Sequence, residues 1–278
     1  MKTTATLAFL TGLLGAGMLG AGGPAAGTTP TADEILERNL AALGGKARMQ
    51  AVRTLRFTAT QWSGGATGQS APMTVYWKRP DRLRIEAPEE GLLKVLAFDG
   101  TTAWSTYPEL EGFRPQVFEG AERDSLREQA DLVDGPTVDY AAKGHHVELA
   151  GREDLGSGAA WKLLLTTAQG EVRTLWFDCE TFLQVREERT QKVAGQEITS
   201  VSLLSDFRPA GGILFAHRTE SRQREPGGPP EGTGEPAVFA IQTLELDVEI
   251  PDSLFAMPTP AAVPAPPSAP PAPAAGPR

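Results

Sequence analysis

From Met73 onward the chain alternates apolar and polar side chains in runs cut by turn residues. Met73, Val75 and Trp77 alternate with Thr74, Tyr76 and Lys78, the period of two that sends successive side chains to opposite faces of a strand. Pro80 has no backbone donor and ends the run. Beyond it Leu83 and Ile85 point one way while Arg82, Arg84 and Glu86 point the other. After a Glu-Glu-Gly turn, Leu92 to Phe98 is apolar on both faces except at Lys94. Asp99-Gly100 is the pair a tight hairpin with positive φ prefers, and Thr101 to Tyr107 returns. The pattern predicts an antiparallel meander.

The flanking segments extend it. Thr31 to Glu34 fits a capping box, and Leu36, Leu40 and Leu43 form one apolar stripe of a helix that Gly44-Gly45 stops. Lys46 to Val52 adds a short helical turn before a first strand over Thr54 to Trp62. A second helix is predicted over Ala121 to Val133, with Leu126, Ala130 and Val133 on its apolar side and Glu122, Arg123, Asp124, Arg127, Glu128 and Asp131 facing water. Further strands are expected at His146–Gly151, Ala160–Thr167, Val172–Phe177, Leu183–Thr190, Glu197–Phe207, Ile213–Glu220 and Val238–Val248, with a long Gly/Pro hairpin loop at Glu225–Pro236. No βαβ alternation is present, so the fold class is α+β. Most strands are polar on one face only, which favours a single curved antiparallel sheet, wet on one side, whose concave side two helices cover in part. What they leave open would be an apolar groove.

The two ends do not belong to this core. Lys2, an uncharged stretch from Thr3 to about Ala21 and the small residues that follow read as a signal peptide over residues 1–26, too short and glycine-rich for a spanning helix. The protein is therefore expected to be exported to the periplasm. Residues 259–278 are almost entirely Pro and Ala and predict an extended spacer, leaving residues 27–258 as one domain. The formal net charge of -9 becomes one unit more negative when Lys2 leaves with the signal. That charge excludes nucleic acid and anionic membrane surfaces as main partners.

Chemistry-bearing motifs are sparse. His145, His146 and His217 are the three histidines, with no H-E-x-x-H or Cys/His ligand spacing for a metal. There is no G-x-S-x-G elbow and no P-loop. Cys179 is the one cysteine, which rules out an internal disulfide, and it falls in an acidic turn. Glu89-Glu90 and Glu187-Glu188 read as turn and strand-exposed charges. No catalytic residue, metal or cofactor is predicted, and the chain is not expected to be an enzyme.

Four stretches carry a family resemblance. W-K-R-P over Trp77 to Pro80 followed by D-G-x-x-x-W-x-x-Y-P over Asp99 to Pro108 resembles the early strands of periplasmic lipoprotein carriers of the LolA/LolB type. A-D-E-I-L-x-R-x-x-x-A-L-G-G over Ala32 to Gly45 and D-S-L-F over Asp252 to Phe255 are similar to the broader group of outer-membrane lipoprotein-sorting-like proteins. The resemblance implies an incomplete β-barrel with a helical lid over a hydrophobic cavity that receives acyl chains. It implies a monomer carrying lipid or an acylated lipoprotein, with transport partners in the inner or outer membrane.

It also places a lid latch on Arg79, in the K-R-P motif. The residues themselves equally allow a strand-end arginine paired with a nearby carboxylate. Trp77 and Trp104 fit cavity-lining strand positions, or else ordinary core packing. Leu83, Ile85, Leu93 and Val95 are cavity candidates by alternation. Two function classes follow, an amphiphile carrier and a non-catalytic periplasmic sensor or binding module of the same fold. A third reading is an exported β protein whose cavity is filled by its own side chains.

Overall fold

The computed structural model describes residues 29–64, 68–89, 92–106, 115–193 and 196–258. The expected signal peptide and the Pro/Ala tail lie outside the described residues, as do Glu90, Tyr107 and Pro108. Helix α1 spans Ala32–Ala42 and opens on the predicted capping box: the Glu34 amide donates to Thr31 Oγ1 at 3.2 Å, and the Thr31 amide donates to Glu34 Oε2 at 2.7 Å. Its buried face is Ile35, Leu36 and Asn39 rather than an all-leucine stripe. Asn39 turns inward because its amide donates to the Phe182 carbonyl at 2.8 Å, a partner 143 positions away. Gly44 ends the helix at φ +112°, where a Cβ would lie 2.3 Å from the Gly212 oxygen. Only glycine fits that approach.

A short α2 (Lys46–Ala51) leads into β1 (Thr54–Ser63), β2 (Gln69–Lys78), β3 (Arg82–Glu89), β4 (Leu92–Phe98), β5 (Ala103–Thr106) and β6 (Gln116–Phe118). Helix α3 follows at Gly120–Gln129, then β7 (His146–Asp154), β8 (Ala159–Thr166), β9 (Val172–Asp178), β10 (Gln184–Val193), β11 (Gln196–Ala210), β12 (Ile213–Arg224) and β13 (Thr233–Leu246), with a closing 3-10 turn at Asp252–Leu254. The Asp99-Gly100 hairpin forms as expected: Gly100 has φ +99°, and the amides of Thr101 and Thr102 donate to Asp99 Oδ1 at 2.9 and 2.7 Å.

The thirteen strands of the described residues join one antiparallel sheet in the order β6-β5-β4-β3-β2-β1-β13-β12-β11-β10-β9-β8-β7. The chain makes two meanders, and the last strand closes against the first. Among the described residues β6 and β7 are the outermost strands and do not pair with each other, so the barrel is incomplete. Register fixes which side chains share a face. Leu55, Trp77, Leu83, Phe98 and Ala103 lie directly opposite one another across five strands and form part of the main buried cluster. That row defines the inner face. A second inner cluster, Val147, Leu163, Leu165, Leu175 and Phe177, packs against Ile35 and Leu36 of α1.

Three expectations shift. The predicted Ala121–Val133 helix stops at Gln129, although Leu132, Val133 and Val138 beyond it stay buried in a run of turns. The Gly/Pro loop is shorter than predicted, since β13 starts at Thr233 and takes in Gly234 and Pro236. An irregularity in its pairing with β12 between Ser221 and Gln223 absorbs the mismatch. Finally, β6 has only three residues and carries no alternation long enough to read.

Candidate functional site

The apolar inner face of β1 to β4 and β13 is where the chemistry of the strands converges. Phe57, Met73, Val75, Trp77, Leu83, Ile85, Phe98, Phe239 and Ile241 are all buried there. They are covered by Leu126 and Ala130 at the end of α3 and by Leu132, Val133 and Val138 of the turns that follow. Trp77 is fixed to this covering segment, because its indole donates to the Ala130 carbonyl at 2.6 Å. Near one rim of the sheet a polar depression of about 250 Å³ opens among Ser63, Ser200, Ser221, Gln223 and Thr233.

Arg79 sits just past β2 and reaches two structures at once. Its Nε donates to the Val52 carbonyl at 2.9 Å and one terminal nitrogen to the Met49 carbonyl at 3.1 Å, both at the end of α2. The two terminal nitrogens also grip Asp134 at 2.7 and 3.0 Å, a bidentate pair with a carboxylate of the covering segment. The guanidinium lies 5.2 Å from the Trp77 ring centre. Arg79 therefore has the carboxylate partner that the strand-end reading asks for. It meets backbone carbonyls and it pairs with a carboxylate, and both side chains are four-fifths withdrawn from water, where a forked pair is worth more than at the surface.

The same segment has a tie within itself and a further one to α2. Lys143 binds Asp131 and donates to the Gly135 carbonyl at 2.6 Å, and Lys46 pairs with Asp139. Burial pushes the Asp131 carboxyl up to about 6, against the pull of Lys143.

A second polar cluster departs from the sequence expectation. Glu128 of α3, assigned to water, contacts Arg173 of β9 and lies 3.2 Å from Arg189 of β10. Arg173 and Arg189 are cross-strand neighbours, and Glu171 joins both, at 3.2 Å from Arg173 and 3.1 Å from Arg189. Glu187, expected as a strand-exposed charge, is 5% exposed, and Glu188 is also withdrawn, paired with Arg186 and Arg224. Burial raises the Glu187 carboxyl and lowers Arg173 to about 10. The signal available was the single arginine among the apolar residues of Val172–Phe177, which marks a buried cation needing a distant carboxylate. Which carboxylate answers it is a tertiary fact.

The predicted cavity residues divide between the two faces. Trp77, Leu83 and Ile85 belong to the inner cluster. Val95 and Trp104 pack with Ala97 on the outer face, in a separate cluster, and Leu93, two residues before Val95, is 47% exposed. The cause is register: Ala97 opposes Arg84 and Trp104, whereas Leu96 and Phe98 oppose Ile85 and Leu83. The expectation that Leu93, Val95 and Trp104 share a face with Trp77 is thereby corrected.

What covers Trp104 is the D-S-L-F segment. The Trp104 indole donates to the Phe255 carbonyl and Arg84 to the Leu254 carbonyl, each at 2.9 Å. Lys78 and Arg82 both bind Asp252, at 2.6 and 2.7 Å, and their hydrogen bonds hold its carboxyl down at about 2.

The histidines are dispersed, with His145 accepting from the Ala168 amide at 3.0 Å and His217 beside the Phe215 carbonyl at 2.8 Å. Cys179 accepts from Arg152 Nε at 3.4 Å. Among the described residues no group of three or more His, Cys, Asp or Glu is placed to hold a metal ion, and no helix is long and apolar enough to cross a membrane.

No model of a known protein family matches the chain, and no curated protein does. Solved structures do. A LolA superfamily protein of Nitrosomonas europaea superposes with a TM-score of 0.54 at 16% identity, covering 82% of this chain and 98% of that one. A DUF1329 family protein of Desulfovibrio piger gives 0.57 at 13% identity with the same coverage. A putative outer membrane lipoprotein-sorting protein domain of Vibrio parahaemolyticus gives 0.51 at 12%, covering 76% and 92%. The class is thus defined by the open antiparallel sheet with few helices. The chain has a LolA-like fold.

Proposed function

We propose that this protein is a periplasmic carrier that takes lipid, or the acyl chains of lipoproteins, onto the inner face of its half-barrel and moves them toward the outer membrane. In this reading α3 and the turns to Gly144 are a lid, and the buried side chains beneath it, Trp77, Leu83 and Ile85 among them, are the walls of a cavity that is collapsed when empty. The observation that carries the reading is Arg79. It ties the covering segment to the body through Asp134 while bonding the α2 carbonyls. A carrier must keep apolar walls covered in water yet release the cover when cargo arrives. Charge-assisted bonds of roughly 1.5–3 kcal/mol each hold such a cover. Burial of an acyl chain, at ~0.8 kcal/mol per methylene, exceeds them within a few carbons.

Arg79→Leu is expected to leave the fold intact, raise the open population, and tighten retention of hydrophobic cargo about tenfold, because closure no longer competes with binding. Equilibrium titration and release kinetics with a fluorescent fatty acid, compared at equal folded fraction, test this. Equal affinity and release for the two proteins would reduce Arg79 to a structural ion pair. Native mass spectrometry of the protein purified from its own periplasm would identify a co-purifying lipid or acylated partner.

A further inference from the structure

We propose that Arg173 and Arg189 form a binding site for the phosphate head of an amphiphile, and that Glu128 of α3 fills this site in the covered state as an internal substitute for that anion. The proposal rests on the amphiphile reading above and names the polar half of its ligand.

Two arginines directly opposite each other on neighbouring strands repel, so carboxylates must hold them together. Glu171 and Glu128 do so, but they differ in attachment. Glu171 immediately precedes β9 and remains with the sheet whatever the helix does. Glu128 belongs to α3, the element that lies over the inner face. When α3 lifts, Glu128 leaves and both guanidiniums lose an acceptor at the same moment.

The site also has donor capacity that the present contacts do not use. The Arg173 side chain is 0% exposed, yet its Nε and one terminal nitrogen have no hydrogen-bond partner among the described residues. Buried donors without partners are rare and unfavourable. The carboxylate facing that terminal nitrogen, Glu187 at 3.8 Å, itself has an unpartnered buried oxygen. A phosphate offers more acceptor oxygens than a carboxylate, and the planar guanidinium fork matches them.

Charge balance agrees. The groups facing the pair are Glu128 from α3, Glu171 and Glu187 from the sheet, Gln184 bonded to Glu187 at 3.2 Å, and Gln191 beside Arg189. Burial holds the Glu187 carboxyl toward its neutral form. Withdrawing Glu128 removes one negative charge from beside the two cations. Leu126 of the same helix packs in the main inner cluster with Trp77, Leu83 and Ile85, so lifting one element uncovers the sites for head and chain together.

The test titrates the full chain with dodecyl phosphate and with dodecyl maltoside, both below micelle formation, and with inorganic phosphate. The decisive quantity is the ratio of the two amphiphile affinities, because any general loosening of α3 cancels in it. Glu128→Gln is expected to raise the preference for dodecyl phosphate about tenfold, and Arg189→Gln to lower it about tenfold. Arg189→Lys should recover part of the loss. Arg189 is used because Arg173 is wholly buried and its loss threatens folding. If Arg189→Gln does not fold, the Glu128→Gln ratio decides alone. Unchanged ratios would overturn the anion site while leaving the amphiphile reading standing. Binding of neither amphiphile would overturn that reading, and this proposal with it. Inorganic phosphate binding as tightly as dodecyl phosphate would make this a free-phosphate site and overturn the head-group assignment.

Discussion

Asp131 is pulled in opposite directions by its surroundings. Burial raises its carboxyl from an ordinary 3.8 to about 6, and Asp134 adds to the rise, while Lys143 and Arg79 work against it. A carboxyl whose folded value lies above its unfolded value binds its proton more readily in the native state. The native state therefore gains stability as pH falls from above 6 toward 4, and the ionised form above pH 6 is a standing penalty. Asp131→Asn removes both. The variant should melt several degrees higher than wild type at pH 7.5, with the difference shrinking as pH approaches 4, in thermal scans monitored by circular dichroism. A constant difference across that range would mean that Asp131 is not the titrating group. Asp252 is the opposite case, a carboxyl held down by Lys78 and Arg82 at the surface, where ions screen most of the effect.

Among the elements, the closing D-S-L-F turn has the clearest separable role. Asp252 is held by two cations from β2 and β3, and the carbonyls of Leu254 and Phe255 are acceptors for Arg84 and Trp104. Phe255 itself is fully buried. Truncation before Thr259 is expected to leave the melting temperature unchanged, because a Pro/Ala tail has little apolar surface to bury. Truncation before Pro251 should lower it by roughly 5 °C or more, since it uncovers Trp104 and leaves two buried donors without acceptors. Equal melting temperatures for the two truncations would show that this turn only rests on the sheet.

Among the described residues twelve of the thirteen strands were legible in the alternation, because a half-buried sheet imposes its period on each strand by itself, and the three helices in their caps and apolar stripes. Which face was inner was legible only where one face was polar, as at Leu83 and Ile85. In β4, apolar on both sides, alternation offered Leu93 and Val95 and could not prefer Leu96 and Phe98. The choice is made by Leu83 and Ile85 across the ladder. The Arg79 position followed from the K-R-P motif, but Asp134 as its partner did not. Nor did the Glu128, Arg173 and Arg189 cluster, whose members come together only when the Glu128 side chain of α3 reaches β9 and β10.

Considered whole, the molecule is held together in two different ways. Its strands are joined by continuous backbone ladders from β6 to β7. The segment from Gly120 to Gly144 is joined to them by side chains: an apolar patch, the Trp77 bond to Ala130, and the charged contacts of Glu128, Asp134 and Asp139. Opening the ladders requires breaking many backbone bonds at once, whereas lifting the segment requires breaking a handful of side-chain contacts. Local unfolding follows the cheaper route. Amide hydrogen exchange should therefore show residues 120–144 exchanging orders of magnitude faster than the centres of β1, β12 and β13 in the free protein. In the proposed carrier the ligand replaces the cover and keeps the sheet, so adding a long-chain amphiphile should speed exchange in residues 120–144 further and leave the central strands as protected as before. Protection that instead rises in residues 120–144 on binding would mean that the amphiphile packs beneath or beside a segment that stays closed, and the displacement mechanism would fall.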